Sequence, residues 1–193
     1  DASKVVFTNR YKASNRIFEM DLETRKTRFI VKGKEPVYLA SGEIAYNGRV
    51  ENIVPCTGSP VVNNLYIINS DGSFKRRVGF DQVHTHSPSL LHDGRVLYTR
   101  WEYNDRTHVY LRALFSMNPD GTSQQEYFGN NSAWPGAIYT ARAIPGHPTA
   151  VMGIVSGHHT AHDGAVGIFD PAKGMQSNPH SARLLCNAPQ KLY

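Results

Sequence analysis

Short apolar strands that end in a polar residue and a tight turn recur along this chain. The clearest copies are residues 64–73 (NLYIINSDGS) and 113–122 (ALFSMNPDGT), which begin 49 residues apart. Weaker copies occupy residues 16–24 and 166–174. A repeat of about 50 residues, built on a strand and an Asp-Gly turn, is typical of a β-propeller blade.

A second strand repeats at the same period, ahead of each of these copies. It occupies residues 4–9, 42–46, 94–100 and 150–155. Two copies begin at a glycine turn, at Gly42 and Gly94, and short strands that start near Pro36 and Pro88 precede those turns. No segment of ten or more residues shows a helical apolar period, so we expect almost no helix. The sequence predicts an all-β fold, a β-propeller of about four recognisable four-stranded antiparallel blades.

The repeats predict a single propeller array over residues 1–193, since each blade needs neighbours to cover its faces. Blade-like repeats lie near residues 4–33, 36–80, 88–128 and 143–174. Four such units use up the chain, and it begins with aspartate rather than methionine and carries no signal peptide. We therefore expect a trimmed or partial portion of a larger propeller, whose remaining blades close the ring.

The pattern also predicts which residues are buried and which stretches form loops. Eight apolar strand residues are expected in the core: Leu65, Ile67, Val96, Leu97, Tyr98, Leu114, Phe115 and Met117. The least repeat-like stretches, residues 48–63, 104–113 and 130–141, are expected as long loops on one rim. Asp71 and Asp120 lie in Asp-Gly turns without the spacing of a calcium loop, which favours a turn role.

Charge and cysteine content exclude several classes of function. The net charge is +5, but the only basic run is Lys75-Arg76-Arg77, which we interpret as a solvated blade edge rather than a phosphate or nucleic-acid patch. We predict no nucleic-acid partner. No apolar segment reaches the roughly 18 residues that a transmembrane helix requires. Cys56 and Cys186 form neither a C-x-x-C pair nor a haem-attachment motif.

Histidines are the most suggestive candidates for chemistry. Two clusters contain His84, His86, His158, His159 and His162. Side chains two residues apart on a strand share a face, so His84 and His86 could bind one divalent ion together with His158 or His159. The candidate ions are zinc, manganese and calcium, and Gln82 or Asp163 could add an oxygen ligand. A structural or solvated role, or proton transfer, are the alternatives.

Residues 100–106 (RWEYNDR) form the other dense candidate site. Strand alternation places Trp101 and Tyr103 on one face and Arg100 and Glu102 on the other. The aromatic pair is expected to pack between blades. Arg100 and Glu102 either pair with each other or with a neighbouring blade, or they bind a ligand at the channel mouth, as His162 also could.

Residues 88–106 (PSLLHDGRVLYTRWEYNDR) resemble the blade motif of TolB-type propellers. They are more specifically similar to the propeller (middle) domain of hydrazine synthase alpha-subunit-like proteins, as are residues 114–122, 127–131, 143–146 and 157–159. The resemblance covers about residues 36–174. It implies an exported bacterial protein in the periplasm or outside the cell. It does not imply hydrazine synthesis, because that activity belongs to haem-bearing domains and this chain has no haem motif.

The segment Gln82-Val-His84-Thr-His86 is also similar to the glutamine and His-x-His pair with which oligogalacturonate lyases, another family of TolB-like propellers, hold a metal. Two function hypotheses follow. The first is an exported propeller module of the hydrazine synthase alpha-like family that binds a protein or a small ligand at its rim or channel. The alternative is a metal-dependent lyase or hydrolase, or the scaffold domain of a redox enzyme. The sequence does not decide whether the protein is an enzyme.

Overall fold

The computed structural model describes residues 3–51, 60–102, 111–157 and 164–185. These residues contain fifteen β-strands and one short 3-10 helix, Pro171–Lys173. Unit I is the sheet of β1 (Lys4–Tyr11), β2 (Ser14–Asp21) and β3 (Thr27–Lys32). Unit II is the sheet of β4 (Lys34–Tyr38), β5 (Ile44–Glu51), β6 (Val61–Ile68) and β7 (Arg76–Arg77).

The remaining eight strands form one continuous sheet that divides into two parts. Unit III contains β8 (Thr85–Leu90), β9 (Val96–Trp101), β10 (Arg112–Met117) and β11 (Gln125–Phe128). Unit IV contains β12 (Ala137–Ala143), β13 (Val151–Ser156), β14 (Ala165–Phe169) and β15 (Ala182–Leu184). A single parallel bridge, between Arg112 and Ala137, joins units III and IV.

Consecutive strands inside every unit pair antiparallel, as the turn pattern predicts. The prediction of an all-β fold with almost no helix and several antiparallel sheets is confirmed. The described strands do not close into a single sheet, and the number of blades in a complete ring stays a prediction.

Apolar alternation along the strands places the core between neighbouring units. In unit III, Tyr98 and Phe115 face unit II, and Leu97 and Leu114 face unit IV. A smaller cluster around Ile17 joins units I and II. The eight predicted core residues are all buried, with 6% or less of their surface exposed. Burying each large apolar side chain contributes about 1.5–3 kcal/mol, so these faces hold the units together.

Asp-Gly turns connect the third and fourth strands of units II and III. Asp71 accepts a hydrogen bond from the backbone N–H of Ser73 at 2.8 Å, and Asp120 accepts the equivalent bond from Thr122 at 2.9 Å. The carboxylates therefore serve the turns, as the sequence predicts.

The opposite edge of the array is called here the entry rim, because the first strands of units II, III and IV begin there. It includes the start of β8 at Thr85, which pairs with Arg100, and the start of β12 at Ala137, which pairs with Ser156. The tight β1–β2 hairpin turn, at Lys12 and Ala13, lies at the same edge.

Regular strand extends into parts of the stretches expected to be long loops. Strand β5 continues to Glu51, β6 begins at Val61, and β12 begins at Ala137, while residues 52–59 and 103–110 lie outside the described residues. Two positions inside the first of these stretches occupy close-packed strand sites instead. Val62 is buried, and Gly48 lies against the Tyr66 ring.

The helical structure of the described residues is limited to the short 3-10 helix Pro171–Lys173. None of the helical structure in the described ranges has the length and hydrophobicity that a membrane crossing needs.

Candidate functional site at the entry rim

Three bulges lie at equivalent positions on the first strands of units II, III and IV. The strand registers shift between residues 34 and 37, 86 and 89, and 139 and 142. At each bulge a residue other than glycine has a positive φ: Glu35 at 56°, Ser87 at 50° and Thr140 at 51°. Such residues cost about 1–3 kcal/mol each and cluster at functional sites. Bulges also redirect neighbouring side chains, so the entry rim is the first place to look for a site.

Glu35 connects unit II to unit III through its carboxylate. One oxygen, Oε2, accepts hydrogen bonds from the backbone N–H of Ser87 and from Asn47 Nδ2, both at 2.6 Å. The other, Oε1, lies 3.2 Å from Lys34 Nζ. Asn47 in turn accepts a hydrogen bond from the buried hydroxyl of Thr85 at 2.8 Å. The hydrogen bonds that Glu35 accepts therefore join its own bulge to the bulge at Ser87.

His84 and His86 lie side by side at the start of unit III, as their spacing predicts. Their ring centroids are 5.7 Å apart. The His84 ring stacks on Trp101 with 5.9 Å between centroids and an interplanar angle of 12°. His86 meets Tyr139 of unit IV edge-on at 5.7 Å. Both imidazoles are half-buried, so aromatic rings from two units fix their orientation while part of each stays accessible.

The protonation state of His84 follows from its partners. Its Nδ1 accepts a hydrogen bond from the backbone N–H of Asn63 at 3.1 Å. Burial lowers the pKa of His84, and the positive charges of Lys34 and Arg112 lower it further. A neutral imidazole whose Nδ1 is an acceptor carries its proton on Nε2. His84 therefore presents an Nε2–H donor at neutral pH.

Arg112 is held between two aromatic rings at the same rim. Its guanidinium carbon lies 4.6 Å from the Trp101 ring centroid and 5.8 Å from that of Tyr139. Stacking of this kind fixes the plane of the guanidinium. The site thus contains an oriented cation whose two ring partners also contact the imidazoles of His84 and His86.

Sequence reasoning missed Glu35, Arg112 and Tyr139. A signal was present for the first: Glu35 precedes Pro36 as Ser87 precedes Pro88, 52 residues later. Arg112 and Tyr139 each sit within three residues of a strand start, but nothing in their spacing shows that they meet.

Arg100 and Glu102 lie between units II and III and are engaged in ion pairs. Arg100 Nε is 3.1 Å from Asp81 Oδ1, and its Nη2 is 3.3 Å from Glu102 Oε1. Burial raises the pKa of Asp81, and the nearby Glu102 charge adds to this against the opposing effect of Arg100. Trp101 packs with Val62 and Val83 on the other face. The structure thus shows Arg100 paired with Glu102 and with Asp81, which is one of the two roles that the sequence allowed. A ligand role for Arg100 and Glu102 stays a prediction.

Several candidates lie outside the described residues: Cys56, Tyr103, His158, His159, His162, Asp163 and Cys186. Gln82 is exposed in the connection that leads to His84. Among the residues that the structure does describe, no three His, Cys, Asp or Glu side chains are arranged to hold a metal ion. The metal prediction, which needs His158 or His159, stays untested.

Comparison with solved structures places the fold. Hydrazine synthase from Kuenenia stuttgartiensis matches with a TM-score of 0.80 and 14% identity, over 97% of this chain and 32% of that one. TolB from Acinetobacter baumannii matches with a TM-score of 0.64 and 14% identity, over 96% and 41%. An oligogalacturonate lyase in complex with manganese gives a TM-score of 0.56 and 16% identity, over 87% and 42%.

Sequence comparison adds no relative, since no family model and no curated protein matches the chain. The chain spans about a third of the hydrazine synthase chain that it matches. Likeness at this identity extends to the fold and not to activity. This chain has a β-propeller type of fold, and it resembles hydrazine synthase and TolB in structure.

Proposed function

We propose that the chain is a binding module whose small-molecule ligand carries a carboxylate and docks at the entry rim. The arrangement of Arg112 over the rings of Trp101 and Tyr139, the second of which also contacts His86, carries this proposal. A guanidinium held in a fixed plane suits two parallel hydrogen bonds to a carboxylate.

The other groups at the rim are complementary to the same ligand. His84 offers an Nε2–H donor, and Lys34 adds a positive charge. The Glu35 carboxylate is engaged by Ser87, Asn47 and Lys34, so it offsets part of the Lys34 charge, but among the described residues it forms no ion pair with Arg112. The aromatic faces suit a flat or apolar ligand body, in keeping with the few oriented polar groups of most small-molecule sites.

Benzoate is a suitable probe, with neutral benzamide as its uncharged analogue. NMR titration should show saturable benzoate shifts at the Trp101 indole and the two imidazoles. The Arg112→Gln variant should bind at least about tenfold more weakly, the loss of roughly one charged hydrogen bond. Arg183→Gln, which removes an exposed arginine of β15, should bind like the parent.

Two outcomes would overturn the carboxylate proposal. One is benzoate binding of equal strength in the parent and the Arg112→Gln variant. The other is an absence of saturable benzoate shifts at the entry rim of the parent, when circular dichroism shows that the parent is folded.

A metal-dependent enzyme is the second candidate, favoured by the 5.7 Å between the His84 and His86 ring centroids. Two imidazoles bound to one zinc at about 2.0–2.1 Å have ring centres roughly 5–6 Å apart. The Asn63 hydrogen bond stands against it, because His84 would have to lose its Nε2 proton to bind a metal.

Metal analysis of protein purified without a nickel column tests this candidate. About one equivalent of zinc or manganese, lost in the His86→Ala variant, would support a His-bound metal centre. Less than about a tenth of an equivalent would remove it.

We also propose that the chain belongs with the hydrazine synthase alpha-like proteins and acts after export, in the periplasm or outside the cell. The motif in residues 88–106 supports this, and the remaining blades of the same protein are then its first partner. The complete reading frame is the test. Further propeller repeats behind an export signal would agree with the proposal, and a complete frame without either would contradict it.

A further inference from the structure

A basic cleft lies between units I and II, next to the β1–β2 hairpin. Its volume is about 600 Å³. Five of its lining residues are cations, and none of the described lining residues is acidic. The cations are Lys12, Lys32, Lys34, Arg49 and Lys75. A concentration of one sign of charge in a concave site attracts counter-ions.

The fold gathers these cations from separate parts of the chain. Lys12 lies in the β1–β2 turn with a φ of 46°. Lys32 ends β3 and Lys34 begins β4, so the two flank Gly33. Arg49 is near the end of β5, and Lys75 extends over the Tyr66 ring at 4.9 Å. The charges are dispersed in the sequence and become neighbours only where units I and II meet.

Two glycines shape the cleft. A Cβ atom at Gly33 would lie 2.5 Å from the Tyr46 ring, and one at Gly48 would lie 2.6 Å from the Tyr66 ring. The two tyrosine rings stack on each other with 5.7 Å between centroids. Because neither glycine has a side chain, the two rings pack directly against the strands. Lys75 then lies over the Tyr66 ring.

Four of the five cleft cations form no ion pair with an acidic side chain in the described ranges, whereas two arginines of units I and II outside the cleft do. Arg28 pairs with Glu19 and Arg76 with Glu43. Of the five cleft cations, Lys34 alone has an ion pair within the described ranges, with Glu35 at 3.2 Å. The remaining positive charges face one cavity without compensation from described acidic side chains.

We propose that this cleft binds a small hydrophilic polyanion carrying several carboxylate or phosphate groups. Four of the five cations are lysines, which act as point charges on flexible stems and suit either group. Polar side chains from Ser14, Asn15 and Asn63 add hydrogen-bonding capacity. The volume matches that of a small-molecule site.

The lining disfavours single-stranded nucleic acid. Proteins that bind it combine a basic groove with aromatic side chains on which the bases stack. None of the described lining residues of this cleft is aromatic. The cleft shares Lys34 and Asn63 with the carboxylate site at the entry rim, but Lys12, Lys32 and Lys75 line the cleft whereas Arg112 and His86 do not. Variants at those three lysines therefore test the cleft separately from the rim site.

Calorimetric titration with two probes tests the proposal, using tripolyphosphate and butane-1,2,3,4-tetracarboxylate. The test variant is the triple substitution Lys12→Gln, Lys32→Gln and Lys75→Gln, at three exposed positions. Matched controls are the parent, and Lys26→Gln, which removes an exposed lysine of unit I outside the cleft. The Arg112→Gln variant separates this site from the proposed rim site.

We expect about one equivalent of at least one probe to bind the parent, Lys26→Gln and Arg112→Gln alike. The triple variant should bind at least about tenfold more weakly, and affinity should fall steeply with salt as phosphate or carboxylate contacts are screened. Binding of only one probe would assign the anion to phosphate or to carboxylate chemistry.

Two results would overturn the proposal. One is the absence of stoichiometric binding of either probe to the folded parent at low salt. The other is a loss of affinity in Lys26→Gln that equals, for each charge removed, the loss in the triple variant. The net charge of the protein, and not the cleft, would then attract the anion.

Discussion

The carboxylate of Glu35 accepts a hydrogen bond from the backbone N–H of Ser87 at 2.6 Å, across a sequence separation of 52 residues. Both residues occupy the positive-φ position of their own bulge. One strained residue therefore holds the strained residue of the next unit, and the two bulges depend on each other.

Replacing Glu35 by alanine should destabilise the protein by about 1–3 kcal/mol, because the buried Ser87 N–H and the Asn47 amide lose their acceptor. Urea unfolding followed by fluorescence measures the change. Glu43→Ala, which removes a surface ion pair with Arg76, is the control and should cost about 1 kcal/mol or less. Equal losses in both variants would mean that the Glu35 bonds do not order the bulges.

Thr140→Gly should leave the protein as stable as the parent or stabilise it by up to about 1 kcal/mol. Glycine relieves the roughly 1–2 kcal/mol of strain that a Cβ atom causes in the left-handed region. Against this, the greater freedom of glycine in the unfolded chain lowers the free energy of unfolding by about 0.5–1 kcal/mol. The matched control, Thr27→Gly in the exposed part of β3, should lose about 0.5–1 kcal/mol. If thermal unfolding gave both variants the same loss, Thr140 would not be strained.

Gly48→Ala should destabilise the protein by about 1–3 kcal/mol, since the new methyl group would displace the Tyr66 ring. It should also alter the basic cleft, because that ring supports Lys75. At Gly136 a Cβ would meet no atom within 4 Å, so Gly136→Ala serves as the control. Comparable melting temperatures for the two variants would contradict the close packing at Gly48.

His84 should make stability depend on pH in the acid range. Its pKa is lowered in the folded state, so the unfolded chain takes up a proton first as the pH falls below the ordinary value of 6.5. This contribution to stability is complete above that value and is lost as the pH falls toward the folded-state pKa. His84→Asn keeps an acceptor for Asn63 but does not titrate.

Denaturant midpoints between about pH 7.5 and 5 should therefore fall less in His84→Asn than in the parent. His180→Asn, at an exposed position, is the control and should follow the parent. A variant with the full pH dependence of the parent would show that another group causes it.

The strands and their buried faces were readable from the sequence because alternation and turn residues act locally. Leu97 and Tyr98 point to opposite faces of one strand, and each meets a different neighbouring unit. The adjacency of His84 and His86 followed from the same alternation. The protonation of His84 did not, since a backbone N–H of another unit determines it.

The rest of the site depends on contacts between units, which spacing does not encode. Arg112 and Tyr139 meet because unit IV packs on unit III. Each bulge inserts a residue into a strand, so the two-residue alternation fails at Glu35. The basic cleft was hidden for a related reason. Lys12 and Lys75 are 63 positions apart in the sequence and line one cavity in the fold.

Within the described residues, units III and IV share one strand bridge, between Arg112 and Ala137, and this has a mechanical consequence. With so little main-chain pairing between units III and IV, the angle between them is set by the thickness of the side chains in the layer that separates them. Side-chain hydrogen bonds also cross that layer, among them those from the Thr99 hydroxyl to the Ile138 carbonyl at 2.6 Å and from the Ser89 hydroxyl to the Ala141 carbonyl at 2.8 Å. We expect a change of one methyl group deep in this layer to shift Tyr139 relative to Arg112, because close-packed side chains transmit such changes to their neighbours. On that expectation, the spacing of Arg112 and Tyr139 at the entry rim depends on interior residues that lie outside the proposed site.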